Sequence, residues 1–291
     1  MSNEAISLDV KLKYLANQLI ELNKNIILIF AFNGTGKTRL SVEYKNTTKL
    51  SNKGNRSGVY FNAYSEDLFY WDNDAENEGR DIKLDIIPSS LNQFHSSLDE
   101  NKLREKLSIY KPKFDFSFNF FEDISKGIQS VYFFQISERE DTVADHIKIS
   151  RGEEQIFILC FFLALFDIQG WTGQQNSHFF IDDPVSSLDD HNIFITASIL
   201  MDLIEEHHKQ RKIIITTHHV GFFSILADWL KKGEKAEAYK KHVQMYILKR
   251  INNDLVFHSH DKDVFLYHLE LLQLLQHAVN EKNYMPIILL Y

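Results

Sequence analysis

The octet AFNGTGKT, residues 31–38, combines glycines, a lysine and a threonine at a spacing that suits phosphate binding. Gly34 and Gly36 allow backbone N–H groups to close around phosphates. Lys37 can reach the terminal phosphates, and the Thr38 hydroxyl can ligate Mg²⁺. The usual pattern begins with Gly where this chain has Ala31, and an ordinary glycine turn is the alternative interpretation. The octet predicts a nucleotide-binding loop made of Asn33, Gly34, Thr35, Gly36, Lys37 and Thr38.

Two adjacent aspartates, Asp182 and Asp183, end the stretch HFFIDD. A phosphate-binding loop needs a carboxylate at the end of a neighbouring strand to hold Mg²⁺, and we assign this metal-binding role to Asp182 together with Thr38. Asp183 is placed to orient or deprotonate the attacking water as a catalytic residue. Glu often fills that role, so the shorter side chain predicts slower hydrolysis. A solvated strand end without chemistry is the alternative.

These residues need a sheet that brings the ends of several strands together. After about Ser150 the sequence gives a helix, the strand HFFID, a helix, the strand KIIIT and a helix. This alternation is typical of an α/β fold with a mostly parallel sheet. The apolar run NIILIF, just before the phosphate loop, predicts a further buried strand. We predict that residues 1–258 form one nucleotide-hydrolysing domain.

Residues 64–149 have a different texture and predict an α+β lid region inserted into that domain. They contain the acidic stretch WDNDAENEGRD, a predicted helix around Leu91–Leu107 and the segment FDFSFNF. In this last segment aromatic and polar residues alternate, which favours a strand with one buried aromatic face. The aromatic residues are Phe114, Phe116, Phe118 and Phe120.

The composition, 44% hydrophobic and 25% charged over 291 residues, is that of a soluble globular chain. The net charge of −8 means that nucleic-acid contact would need a local basic patch. The single cysteine, Cys160, excludes an intramolecular disulfide. The start of the chain lacks the apolar core of a signal peptide, and the longest apolar run, Ile156–Phe166, would span about 16 Å against a bilayer core of roughly 30 Å. We expect a cytoplasmic protein with no membrane partner.

The stretch ISRGEEQ opens this buried helix with a Ser-x-Gly start, which offers a hydroxyl and free N–H groups to an anion. Ordinary helix capping by Ser150 is the alternative. The phosphate loop, a long insertion, this helix start, the metal acid, the stretch SSLD and a histidine after a strand follow one another along the chain. This order resembles that of ABC-type ATPase heads, P-loop NTPases whose fold we therefore expect here.

The resemblance implies that two chains form a homodimer around nucleotide. Ser150 and Gly152 of one chain would then contact the γ-phosphate held by the other chain. Asp189, the aspartate of SSLD, would cross the interface and contribute to the nucleotide site. His218, in IIITTHH, would sense the γ-phosphate as a second catalytic residue, although a packed or solvated histidine is the alternative.

Within this group the chain resembles the PrrC-type anticodon nucleases, bacterial proteins that cut a tRNA in its anticodon loop as an antiviral response. The segments AFNGTGKTRLS, FNAYSEDLFYWDND, HIKISRGEE, FFIDDPVSSLDD and IIITTHH follow that family's order, and VFLYHLELLQ is similar to a box before its nuclease region. The stretch EDLFYWDND is the most family-specific, and its sequence offers either a loop tucked onto the core or a nucleobase or partner site. The resemblance implies a nucleotide-driven sensor and switch, Mg²⁺ and ATP or GTP as cofactors, tRNA as the family substrate and a possible restriction-modification complex.

The nuclease residues of that family are an Arg, Glu and His set lying beyond the box. This chain ends at Tyr291, and we assign none of those roles within it. We therefore expect residues 259–291 to be the helical start of a truncated effector region. The 291-residue chain is then expected to hydrolyse nucleotide slowly and not to cut tRNA.

Two other function classes stay open. A binding or scaffolding ATPase of another defence or DNA-repair complex, like the SMC and RecF heads, is disfavoured because the insertion has no long heptad arm and the chain no strongly basic stretch. A transporter ATPase is disfavoured because SRGEEQ departs from the Ser-Gly-Gly-Gln form. The choice between ATP and GTP also stays open, since such loops read phosphates rather than bases.

Overall fold

The computed structural model describes residues 8–55, 57–62, 67–89, 92–95, 98–136, 145–166, 177–186, 188–251, 254–260, 276 and 279–280. Its main layer is a six-stranded sheet with the order β10-β9-β1-β8-β7-β2. Every neighbouring pair is parallel except the hairpin of β9 and β10. The prediction of an α/β fold with a mostly parallel sheet is confirmed. The strands are β1 (Ile26–Phe30), β2 (Gly58–Phe61), β7 (His178–Asp182), β8 (Lys212–Thr217), β9 (Val243–Ile251) and β10 (Asp254–Ser259).

Helices cover both faces of this sheet. Alternate residues of β1 face opposite sides, and all five are apolar and buried, so both faces need a covering layer. Ile27 and Ile29 pack with the helices on one face, and Leu28 and Phe30 join the larger core on the other. That larger core contains a long helix that is apolar and buried all round, as a helix inside a core must be. The helices of this domain are α1 (Leu8–Glu21), α2 (Lys37–Ser51), α5 (Arg151–Phe166), α6 (Asp190–His207), α7 (Val220–Lys232) and α8 (Ala236–Tyr239).

A second, antiparallel sheet with the order β3-β4-β6-β5 lies between β2 and α5 in the chain, and we call it the accessory sheet. It shares one core with α5, where Phe157 packs edge-on against Phe116 at 5.2 Å and Phe133 at 4.9 Å between ring centroids. The accessory sheet therefore rests on the helix that Ser150 precedes. Its elements are β3 (Phe69–Asp72), β4 (Lys83–Ile86), α3 (Asn92–His95), α4 (Glu100–Ser108), β5 (Phe114–Phe120) and β6 (Ile128–Gln135).

Two predictions for this region were wrong in detail. The single helix expected around Leu91–Leu107 is two helices, and α4 begins afresh because the Asp99 carboxylate caps it by accepting from the Asn101 N–H. The aromatic face of β5 is not buried throughout, since Phe120 is 37% exposed. A register shift between Asn119 and Phe120 ends the regular alternation there.

The predicted boundaries at 64–149 and 259–291 stay predictions. Most of the segment expected to begin an effector region, and residues 64–66 at the start of the insertion, lie outside the described residues. Among the residues that are described, no helix is both long and apolar enough to cross a bilayer.

Candidate functional site

The phosphate loop leaves the carboxyl end of β1 at the centre of the sheet. Ala31 is fully buried, and its N–H donates to the Thr217 carbonyl at 2.9 Å, so its small side chain suits the position. Gly34 and Gly36 have φ angles of 75° and 111°, a left-handed region that strongly favours glycine. The loop then enters α2 at Lys37, with no side chain capping the helix. The first-turn N–H groups of α2 are therefore available to an anion.

The Lys37 ammonium is turned into the loop itself. Its Nζ donates to the carbonyl oxygens of Ala31 at 3.2 Å and Phe32 at 3.4 Å, and to Asn33 Oδ1 at 3.4 Å. The residue is only 6% exposed. A buried cation that closes a ring with its own loop fits the site of a phosphate group, which would take over these hydrogen bonds.

Asp182 lies at the end of β7, directly beside the start of α2. The Thr38 hydroxyl donates to its Oδ2 at 2.5 Å, and the Thr216 hydroxyl donates to its Oδ1. Asp182 and Thr216 are register partners in β7 and β8, which fixes the second contact. Burial raises the pKa of the Asp182 carboxyl above its usual range. One hydroxyl beside one buried carboxylate is the kind of donor set with which Mg²⁺ is bound when phosphates and water complete its shell, so the residues fit that ion.

Asp183 connects the loop lysine to the histidine after β8. Its backbone has a φ of 57° and is held by its N–H donating to the Thr216 carbonyl at 2.8 Å. Its Oδ2 lies 2.5 Å from His218 Nδ1 and 3.7 Å from Lys37 Nζ. Its Oδ1 accepts from the Thr217 hydroxyl at 3.2 Å and the His218 N–H at 3.3 Å. Such a carboxylate, close to the lysine yet joined to a histidine, can accept a proton from a water molecule.

The remaining predicted site residues lie at two helix starts. Ser150 donates through its N–H and its hydroxyl to Glu153 Oε2, at 2.9 and 2.7 Å, which is a capping box for α5. Gly152 belongs to the first turn of the same helix. Asp189 caps α6 by accepting from the Asn192 N–H at 2.8 Å. Within the described part of the chain, these capping bonds stay inside their own helices and do not reach the phosphate loop.

The helix start and the SSLD stretch are nevertheless joined. Gln155 Nε2 donates to the Ser186 hydroxyl at 2.7 Å, which links α5 to the loop after β7. Ser187 lies outside the described residues. Sequence reasoning missed both Gln155 and Thr216. Thr216 could have been found from its place in IIITT, the strand that follows Asp182 along the chain. The sequence does not give the register in which the two strands pair, and it is this register that places Thr216 beside Asp182.

Comparison with known proteins shows which family the chain belongs to. Over residues 101–283 the chain matches the family model described as an AAA domain. It is also 30% identical over 318 aligned positions to the anticodon nuclease of Escherichia coli, with 96% of this chain and 76% of that protein covered. The chain belongs to the anticodon nuclease family. The resemblance drawn from its motifs is confirmed, and the chain carries the ATPase part of an anticodon nuclease-like protein.

Solved structures similar to this chain include two Smc head domains. One, with a coiled coil and joint, comes from Pyrococcus yayanosii; it is 14% identical, covers 61% of this chain and 29% of its own, and has a TM-score of 0.39. The other, bound to the C-terminal domain of ScpA, comes from Pyrococcus furiosus; it is 12% identical, covers 92% and 52%, and has a TM-score of 0.38. Likenesses at this level say nothing about what the chain binds.

Proposed function

We propose that this chain binds ATP or GTP with Mg²⁺ at the phosphate loop and hydrolyses it to control an anticodon nuclease. The observation that carries the proposal is the cluster at the carboxyl edge of the main sheet. Lysine, threonine, two aspartates and a histidine from three separated stretches of chain converge there. They are Lys37, Thr38, Asp182, Asp183 and His218, joined by contacts of 2.5 to 3.7 Å.

Each group has a task that follows from its surroundings. Lys37 and the free N–H groups of α2 would hold the β- and γ-phosphates. Thr38 and Asp182 would hold Mg²⁺, which when bound neutralises charge on the phosphates. Asp183 would take the proton of the attacking water, and His218 keeps that carboxylate in place through its Nδ1 and its N–H.

We further propose that two chains pair head to head around nucleotide. Ser150 caps α5, Gly152 lies in its first turn and Asp189 caps α6, so all three stand at helix N-termini. At the start of α5 the N–H groups and the helix dipole favour an anion, whereas at α6 the Asp189 carboxylate itself occupies that place. The hydrogen bond from the Ser150 hydroxyl to Glu153 is exposed to solvent, so the hydroxyl can donate to a phosphate oxygen in its place. In this arrangement the nucleotide joins the chains, and its hydrolysis releases them.

This cycle would make the chain a sensor and switch. The name of the Escherichia coli relative supports tRNA as the substrate of the activity that is switched. We propose that the protein works in the cytoplasm, in antiviral defence and within a restriction-modification complex, as the family resemblance implied.

The direct test is phosphate release from ATP and from GTP by the purified chain. We expect slow turnover in Mg²⁺ and none after the metal is chelated with EDTA. Comparing the two nucleotides at matched concentrations decides which base is preferred. Turnover that is insensitive to EDTA, or that persists in a Lys37→Met variant, would reject the site.

Cleavage of RNA is tested separately with total bacterial tRNA, Mg²⁺ and nucleotide on a denaturing gel. We expect no cut by the 291-residue chain, because we assign no Arg, Glu and His nuclease set within it. A single anticodon-loop cut that is lost on substituting His268 or His277, both outside the described residues, would show that assignment to be wrong.

A further inference from the structure

The accessory sheet contacts the start of α5 through a hydrogen bond to a buried carboxylate. Glu154, in the first turn of α5, is only 5% exposed. Its Oε2 accepts from the Trp71 indole N–H at 3.1 Å, and its Oε1 accepts from Arg151 Nη1 at 2.6 Å. A carboxylate removed from water needs such partners. Arg151 belongs to the same turn as Glu154, so it is the bond from Trp71 that ties the first turn of α5 to the accessory sheet.

A second contact holds the chain just before the helix. Lys148 Nζ donates to Asn73 Oδ1 at 3.0 Å and lies 5.3 Å above the centre of the Trp71 ring. Trp71 and Asn73 therefore touch the chain both two residues before Ser150 and four residues after it. The turn that presents Ser150 and Gly152 is held from both sides by β3 and the residue that follows it.

The accessory sheet in turn supports Trp71. The indole packs against Phe133 of β6 at 5.7 Å between ring centroids, and β3 pairs with β4 through Trp71 and Leu84. A displacement of this sheet would move the indole, and with it the carboxylate of Glu154. The indole N–H is already used by Glu154 and one ring face is covered by Lys148. This geometry favours a mechanical contact over a nucleobase site for the stretch around Trp71.

We propose that Trp71 and Asn73 are positioning residues for the Ser150–Gly152 turn, through which the accessory sheet sets the rate of nucleotide hydrolysis in paired chains. The inference rests on the proposed function, because the turn meets nucleotide only across the pair. It also gives the acidic-aromatic stretch of the family a physical role. Among the described residues, Trp71 and Asn73 contact Lys148 and Glu154 on either side of the turn and no residue of the phosphate loop, so nucleotide binding by a single chain should not depend on them.

The decisive variant is Trp71→Phe, which keeps an aromatic ring against Phe133 and Lys148 but removes the N–H that donates to Glu154. We expect hydrolysis per chain to fall about ten-fold at protein concentrations where the wild type is paired. This fold-change corresponds to about 1.4 kcal/mol. Nucleotide affinity of the single chain should stay unchanged. The melting temperature should fall by only about 2 to 5 °C, because Arg151 still pairs with the Glu154 carboxylate. Trp229→Phe is the matched control, because that indole packs on Phe194 between α6 and α7 and should have no effect.

A second, exposed variant decides the matter if Trp71→Phe fails to fold. Asn73→Ala removes the acceptor of Lys148 without touching the core, and it should slow hydrolysis in the same direction by a smaller factor. Glu154→Leu has no acceptor for the indole N–H and should slow hydrolysis as Trp71→Phe does. The double variant should be no slower than the slower single variant, because both changes remove the same contact.

The outcomes separate the two ideas. A wild type whose hydrolysis per chain does not rise with protein concentration overturns the pairing, and this inference with it. A paired wild type whose Trp71→Phe and Asn73→Ala variants keep full rates overturns the inference alone. Losses of rate that merely follow losses of nucleotide affinity or melting temperature would also overturn it, since they would show a general structural role.

Discussion

Replacing Lys37 with Met should remove tight nucleotide binding and leave the nucleotide-free fold intact. The side chain is 6% exposed, and among the described residues its ammonium contacts the loop and, at 3.7 Å, Asp183. Met has a similar length and flexibility and can fill the same space. Because the buried charge disappears together with its hydrogen bonds, we expect the free energy of unfolding without nucleotide to change by less than about 1 kcal/mol.

The effect on binding follows from the contact that is lost. A hydrogen bond to a charged group contributes roughly 1.5 to 3 kcal/mol, so the dissociation constant should rise about 10- to 150-fold. At a nucleotide concentration about 100 times the wild-type constant, the wild type gains about 2.7 kcal/mol of stability. A variant that binds about 100-fold more weakly gains only about 0.4 kcal/mol. The melting temperatures with nucleotide should then differ by roughly 4 °C.

Titration calorimetry with Mg²⁺ and nucleotide measures the first quantity, and melting with and without nucleotide measures the second. Lys49→Met is the matched control, because Lys49 is exposed in the last turn of the same helix. The control should bind as the wild type does. Wild-type affinity in Lys37→Met would refute the assignment of the phosphate loop. A variant that melts lower even without nucleotide would refute the claim that this lysine serves the ligand rather than the fold.

Two further predictions follow from Asp183 and His178. Asp183→Asn should slow hydrolysis about 10²- to 10⁴-fold, because Asn fits the left-handed backbone but cannot accept the proton. Nucleotide-bound pairs of this variant should live longer, as measured by sedimentation. A variant that sediments as a monomer at saturating nucleotide would contradict the pairing. Burial lowers the pKa of His178 to about 3 from an ordinary value of 6.5. Between these two pH values the histidine is protonated in the unfolded chain and neutral in the folded chain. The free energy of unfolding should fall by about 1.4 kcal/mol per pH unit there, and urea titrations at several pH values should show a shallower fall in His178→Gln.

Local patterns in the sequence were enough to predict the main sheet and the residues that lie at its edge. The glycine spacing of the loop requires the left-handed angles that Gly34 and Gly36 adopt, and an apolar run that ends in Asp182 can only deliver that carboxylate to the edge of a parallel sheet. The roles of these residues stay predictions. The contact of Trp71 with Glu154 could not be predicted, because 83 residues separate them and no local spacing connects the two.

One smaller failure has the same origin. A bulge ended the alternation before Phe120, and bulges leave little trace in a short aromatic segment because they depend on the pairing of two strands. The bond between Ser150 and Glu153, by contrast, follows from their local spacing, which is that of a capping box. The proposed contact of Ser150 with nucleotide stays a prediction.

The position of β1 in the middle of the main sheet has a consequence for synthesis on the ribosome. This strand, Ile26–Phe30, is flanked by β8 and β9, whose pairing residues are 213–217 and 243–247. At roughly 5 to 20 residues per second, β1 waits about 10 to 40 s for those neighbours to be made. During that interval five apolar residues in a row have unpaired backbone groups, a segment type that is prone to aggregation. Aggregation through β1 is therefore a hazard until residues 213–217 and 243–247 have left the ribosome.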